Sequence, residues 1–222
     1  MQKFDTPNPV SVIVEIPAGQ IRFVASERTD TTVEVLPAEA SKKRDVKAAE
    51  QTAVEYSEGV LRVVTADPNK LFGSSGSLTV TIALPAGSRV TGKAGAAALA
   101  STGRLAEVVF DGGYRTVELD EVGTAQLKVH TGEVTVARLT GPAHITNGQG
   151  DITVAEAVAG VVELRTGSGN LSVTAAPGVS GTLDASTTYG RISNAMQNTD
   201  GAGSALTVKA TTSQGDITAA SR

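Results

Sequence analysis

Gly132-Glu-Val-Thr-Val136, Gly150-Asp-Ile-Thr-Val154, Gly169-Asn-Leu-Ser-Val173, Gly190-Arg-Ile-Ser193 and Gly215-Asp-Ile-Thr218 are variants of one five-residue motif. Each opens on glycine and places an apolar residue two positions on, and the longer ones another at four. Further glycines stand between them, so that the motif returns at every second glycine, with a period of 18 to 25 residues. One strand, a glycine corner, a second strand and a second corner account for such a repeat. This pattern predicts a parallel β-solenoid (β-helix) with two strands in each coil. A single coil cannot bury its apolar side chains. Stacking coils about 4.8 Å apart pairs each strand with its counterpart one period away and builds one continuous core.

Strand alternation assigns the faces. Val134 and Val136, Ile152 and Val154, Leu171 and Val173, Ile192 and Ile217 point inward, joined from the intervening strands by Val162 with Leu164 and Leu183 with Ala185. Outward stand a mixed column (Glu133, Asp151, Asn170, Arg191, Asp216) and a hydroxyl column (Thr135, Thr153, Ser172, Ser193, Thr218). The alternative is an antiparallel β-sandwich, in which Asp111-Gly112, Asn147-Gly148 and Asp200-Gly201 are hairpin turns. A meander has no reason to repeat one motif at alternate segments.

Twenty of the 24 glycines lie at or after Gly87 and six of the eight prolines at or before Pro85, so the composition divides the chain into 1–86 and 87–222. The second part is the glycine-cornered repeat region. The first contains extended stretches and, in Ser41-Lys-Lys-Arg-Asp-Val-Lys-Ala-Ala-Glu-Gln51, one short helix with Ser41 as N-cap and Val46 and Ala49 on one face. A helix with irregular strands is suitable capping material for a solenoid end, which otherwise exposes unpaired strand edges.

Composition excludes much. The 222 residues include seven aromatics, too few for sugar clamps or base-stacking platforms. The chain has no Cys, hence no disulfide, no thiolate nucleophile and no Cys-ligated metal. Its net charge is −4, and its one basic cluster, Lys42-Lys43-Arg44, is too small for a nucleic-acid footprint. No apolar run is long enough for a membrane span, and Met1-Gln-Lys-Phe-Asp-Thr-Pro-Asn-Pro-Val10 is not a secretory leader, so a cytoplasmic location is expected.

Val12 to Ala38 (VIVEIPAGQIRFVASERTDTTVEVLPA), Arg44 to Val63 (RDVKAAEQTAVEYSEGVLRV) and Leu78 to Ser88 (LTVTIALPAGS), followed by the glycine repeats, resemble a bacterial family of β-strand repeat proteins. Its members, common in actinobacteria, are labelled putative adhesins or domains of unknown function. The resemblance covers nearly the whole chain and implies a β-helical fold. It brings no catalytic residue with it.

Site chemistry is sparse. His130 and His144 fall on different strands and face solvent. Glu133 and Asp151 adjoin in one outward column, the arrangement of a carboxylate pair, yet neither aromatic subsites nor Arg clusters flank them. Asn147-Gly-Gln-Gly-Asp151 is similar to a calcium-binding nonapeptide, but its acid directly follows the glycine and its equivalents include Arg191. No cofactor and no metal ion is expected. The expected function is a non-enzymatic structural or protein-interaction module, with a surface adhesin or a polysaccharide-acting lyase or hydrolase as alternatives. The candidate surface ladder is Glu133, Asp151, Asn170, Thr135, Thr153 and Ser172. The final motif is followed by only Ala-Ala-Ser-Arg, so Leu206, Val208 and Ile217 are expected at an open end where two copies pair into a homodimer. An unknown protein partner is expected; nucleic acid and a membrane span are not.

Overall fold

Val and Thr, 27 of each, favour extended backbone because their branched Cβ packs well on a pleated surface. The computed structural model describes residues 1–66 and 76–222 and is all-β apart from one short α-helix and a 3-10 turn. The chain divides into two units, Met1–Arg115 and Thr116–Arg222.

In the first unit the elements are β1 (Gln2–Asp5), β2 (Ser11–Ser26), β3 (Asp30–Pro37), α1 (Lys43–Glu50), β4 (Thr52–Ser57), β5 (Val60–Thr65), β6 (Ser77–Pro85), β7 (Arg89–Thr102) and β8 (Arg104–Gly112). The long strand β2 takes part in two ladders. Its first half runs parallel to β5 on one side and β7 on the other, aligning Val12 with Leu61 and Val90. Its second half lies parallel between β6 and β7, aligning Phe23 with Ile82 and Ser101. β7 continues the first ladder to β8. Antiparallel pairs, β4 with β5, β3 with β6 and β1 with β3, extend the ladders beyond β5 and β6. Val12, Phe23, Leu61 and Ile82 are buried at this core.

The helix forms where its Ala, Lys and Glu content favours it, but its buried residues are Asp45 and Ala48, while Val46 and Ala49 are half-buried. Lys42 is the N-cap, with no side-chain cap bond, and Ser41 is exposed. Asp45 Oδ1 accepts the Ser77 N–H at 3.0 Å and lies 3.5 Å from Arg44 Nε. That bond to the first residue of β6 accounts for the turn of the helix by one position.

The second unit comprises β9 (Val117–Thr131), β10 (Val134–Leu139), β11 (Ala143–Gln149), β12 (Ile152–Ala157), β13 (Gly160–Ser168), β14 (Leu171–Ala175), β15 (Gly181–Tyr189), β16 (Ile192–Ala195), β17 (Leu206–Gln214) and β18 (Ile217–Ser221). One ladder aligns Val117, Val134, Ile152, Leu171, Ile217 and Ile192, in that spatial order. The other aligns Ala125, Ala143, Val162, Val208 and Leu183. Every one of these pairings is parallel, as the motif spacing requires and an antiparallel meander forbids.

The spatial order departs from the chain order at the end. β17 lies between β13 and β15, and β18 between β14 and β16. The chain passes one level beyond β13–β14, forms β15–β16, and returns to fill the gap with its last strands. In the first unit β2 is likewise held between β5–β6 and β7, while β1 pairs with β3.

Candidate functional site

At the glycine corners of the second unit three positions form separate columns. The corner glycines stack: a Cβ on Gly150 would lie 2.0 Å from Gly132 O, one on Gly169 2.2 Å from Gly150 O, one on Gly215 2.0 Å from Gly169 O and one on Gly190 2.0 Å from Gly215 O. Backbone passes over backbone with no room for a side chain.

The residue after the glycine bonds the next level. Asp151 Oδ1 accepts the Asn170 N–H at 2.7 Å, Asn170 Oδ1 accepts the Asp216 N–H at 2.9 Å, and Asp216 Oδ1 accepts the Arg191 N–H at 2.8 Å. The mixed outward column is therefore a stitch between levels. Asp and Asn suit it because their short side chains carry an acceptor close to the backbone. Arg191, which offers no acceptor, stands on the outermost level, where no further N–H needs one; its Nε lies 4.0 Å from Asp216 Oδ2. Glu133 adjoins Asp151 in the neighbouring level and is exposed. Arg191 lies three levels from Asp151, about 14 Å at the usual strand spacing.

The residue three positions before the glycine forms the second column, which sequence reasoning missed. Asn147 Nδ2 donates to Gly132 O at 2.7 Å, Thr166 Oγ1 to Gly150 O at 3.0 Å, Thr212 Oγ1 to Gly169 O at 3.1 Å and Thr187 Oγ1 to Gly215 O at 3.1 Å. The signal is present in the sequence as Asn-x-x-Gly or Thr-x-x-Gly at these four corners, and strand alternation alone does not reveal it. Asn147 Oδ1 is buried with no hydrogen-bond partner among the described residues. Asn147→Thr keeps a donor for Gly132 O and removes the orphan carbonyl, so it is expected to raise stability by about 1 kcal/mol, or roughly 2–4 °C in a thermal melt.

The hydroxyl column is in register: Thr135, Thr153, Ser172, Thr218 and Ser193 align across five strands. Thr135, Thr153 and Ser172 are half-buried, Thr218 and Ser193 exposed. On the other ladder His144, Glu163, Lys209 and Asp184 form an outward charged column. His144 Nδ1 lies 3.1 Å from Glu163 Oε2, and Arg165 Nη2 2.5 Å from Glu163 Oε1. The His144 hydrogen bond and the Arg165 charge hold the Glu163 carboxyl below the usual carboxylate range. His130 is also exposed, on β9. Among the described residues no group of three or more His, Asp or Glu side chains could hold a metal ion, and no helix is long and apolar enough to cross a membrane.

Leu206, Val208 and Ile217, expected at an open end, are at most 1% exposed and lie between neighbouring strands on both sides. The expectation placed the last strands in sequence outermost; their insertion beneath β15–β16 reverses that. The outermost level carries Ile192 at 47% and Tyr189 at 72% exposure, with Leu183 half-buried.

The Toastrack DUF4097 family model matches residues 8–220. The chain belongs to the Toastrack DUF4097 family. Solved structures resemble this Toastrack chain, among them three from bacteria. A protein named a putative adhesin from Bacteroides fragilis shares 12% identity over 98% of this chain and 95% of its own, with a TM-score of 0.51. A putative adhesin from Parabacteroides merdae shares 11% over 98% and 94%, at 0.47. A putative cell adhesion protein from Clostridium sporogenes shares 11% over 100% and 98%, at 0.41. No curated protein matches the Toastrack chain. At such identities the likeness to the B. fragilis protein is one of fold.

Proposed function

We propose that this chain is a non-catalytic β-solenoid that serves inside the cell as a structural or protein-interaction module. The observation that carries the reading is the use of the corner side chains. Asp151, Asn170 and Asp216 each accept a backbone N–H of the next level, which leaves them positioned for holding the stack. Glu133, Asp151 and Arg191, the trio a polysaccharide lyase or hydrolase would have to bring together, are spread over five levels instead of converging. The regular outward strand faces, with Thr135, Thr153 and Ser172 in register, leave a surface for a protein partner.

The test is recovery of the tagged chain from its own cells after brief cross-linking. A stoichiometric protein partner that is weakened by Thr153→Lys, in a variant that still folds, supports the module. The absence of any such partner, or turnover of a polysaccharide by the wild type that Asp151→Asn abolishes, overturns it. The name of the B. fragilis neighbour supports a second reading as a surface adhesin. Protease treatment of intact cells separates the two: an internal module survives and a displayed adhesin is cut.

A further inference from the structure

We infer that Arg191 and Asn194 mark β15–β16 as the terminal level of the second unit and so direct the last strands of the chain into the slot beneath it. Backbone register does not choose between the two possible orders. Gly160, Leu206 and Gly181 share one register, as do Leu171, Ile217 and Ile192, so β15–β16 would meet β13–β14 in the alignment that β17–β18 now occupies. The side chains choose.

In the sequential order Arg191 would stand between Asn170 and Asp216. The Asp216 N–H, which now bonds Asn170 Oδ1, would face a guanidinium that has only donors. Asn194 would suffer as well. It is aligned with Ala219 and, through it, with Val173, both 1% exposed, and so occupies an inward position. On the outermost level it is exposed, and its Oδ1 accepts the Met196 N–H at 3.0 Å. Moved one level inward, its amide would be buried between two apolar neighbours. The returning strands carry no such marks: Leu206, Val208, Ala210, Ile217 and Ala219 are all fit for the interior, and Asp216 supplies the acceptor that an interior level needs.

The return path is also fixed. Ser180, at the start of the outer level, accepts the N–H groups of Thr199 and Asp200 on its Oγ, at 3.1 and 3.2 Å, and its hydroxyl lies 3.1 Å from Ser204 Oγ. The connection from β16 to β17 is thereby held against the level it crosses. Stopping the stack with a cation and an exposed amide, in place of another Asx and another Val, also removes the features that a further coil from a second copy would need in order to dock on this edge.

The chain has no cysteine, so engineered pairs report the order without interference. Adjacent levels bring outward Cα atoms about 4.8 Å apart, within disulfide reach, while levels two apart stand about 9.6 Å apart and outside it. Ser172→Cys with Thr218→Cys should therefore oxidise to an intramolecular link, and Ser172→Cys with Ser193→Cys should not. Adding Arg191→Asn and Asn194→Val, which turn the motif into that of an interior level, should make the Ser172–Ser193 pair link within one chain or produce disulfide-independent oligomers by end-to-end addition. Arg191→Lys should keep the parental pattern. If the combined variant does not fold, Arg191→Asn alone carries the same readout. An unchanged, monomeric cross-linking pattern in the folded variant overturns the inference, as does a Ser172–Ser193 link in the parent.

Discussion

Replacing Ile152 with Asp is expected to cost more than about 3 kcal/mol, or to prevent folding of the second unit. Ile152 is fully buried and in register with Val134 on one side and Leu171 on the other, and both of those are at most 1% exposed. A carboxylate there meets apolar side chains in both neighbouring levels. The interior polar residues Asn147, Thr166 and Thr212 belong to the other ladder and already donate to corner carbonyls. Leu171→Asp should behave alike, since its other neighbour is Ile217. At roughly 2–4 °C per kcal/mol for a chain of this size, either variant that folds should melt at least about 6 °C below the wild type. Thr153→Asp, one residue away, should cost less than about 1 kcal/mol because its neighbours are the half-exposed hydroxyls of Thr135 and Ser172. Thermal melts in the opposite order would shift the register by one residue and turn every face assignment inside out.

That register was legible because two signals coincide in it. Alternation says which side chains share a face, and the return of Gly-x-apolar-hydroxyl-apolar says which strands are neighbours. Together they align Ile152 with Leu171 and Thr153 with Ser172, as the ladders do. The order of the last levels was not legible by the same route, because both orders satisfy alternation and register equally. Chain continuity then favours the sequential one, and Leu206, Val208 and Ile217 fall at the open end. What distinguishes the orders is a pair of departures from the motif. Arg191 stands where other levels carry Glu, Asp or Asn, and Asn194 where they carry Val or Ala, and both look like drift until the bonds between levels are known.

The same bonds explain a feature that argues against metal binding on sequence grounds and yet looks like a binding site. A column containing Glu133, Asp151, Asn170, Asp216 and Arg191 is too mixed for a cation, but it is not arbitrary. Asp and Asn supply the stitches, and Arg191 is confined to the level with nothing beyond it. The short helix forms where expected, but its buried face differs for a related reason: Asp45 is buried because it accepts the Ser77 N–H, a partner 32 residues away that amphipathic spacing cannot reveal.

Gly169→Ala is expected to be at least as damaging as a charge in the core, by a different mechanism. Gly169 has a φ of +150°, which L side chains rarely adopt, and its Cβ would lie 2.2 Å from the oxygen and 2.4 Å from the carbon of the Gly150 carbonyl. No rotamer relieves a clash between Cβ and backbone. The two levels must therefore separate, although neighbouring strands keep a spacing of about 4.8 Å through their hydrogen bonds. Separation at this corner strains the Asn170 N–H bond to Asp151 and displaces the Gly169 carbonyl that Thr212 Oγ1 donates to. Each lost bond costs about 1 kcal/mol, and strain adds to it, so a total above about 4 kcal/mol is expected, seen as loss of soluble protein or a melt at least about 8 °C lower. Gly178 is the control. Its φ of +76° is also left-handed, but a Cβ there meets nothing within 4 Å. Gly178→Ala thus bears the conformational penalty alone, about 1–2 kcal/mol. If both variants melt together, the close passage of backbone over backbone at Gly169 is not what requires glycine, and the corner column loses its role in setting the spacing of the stack.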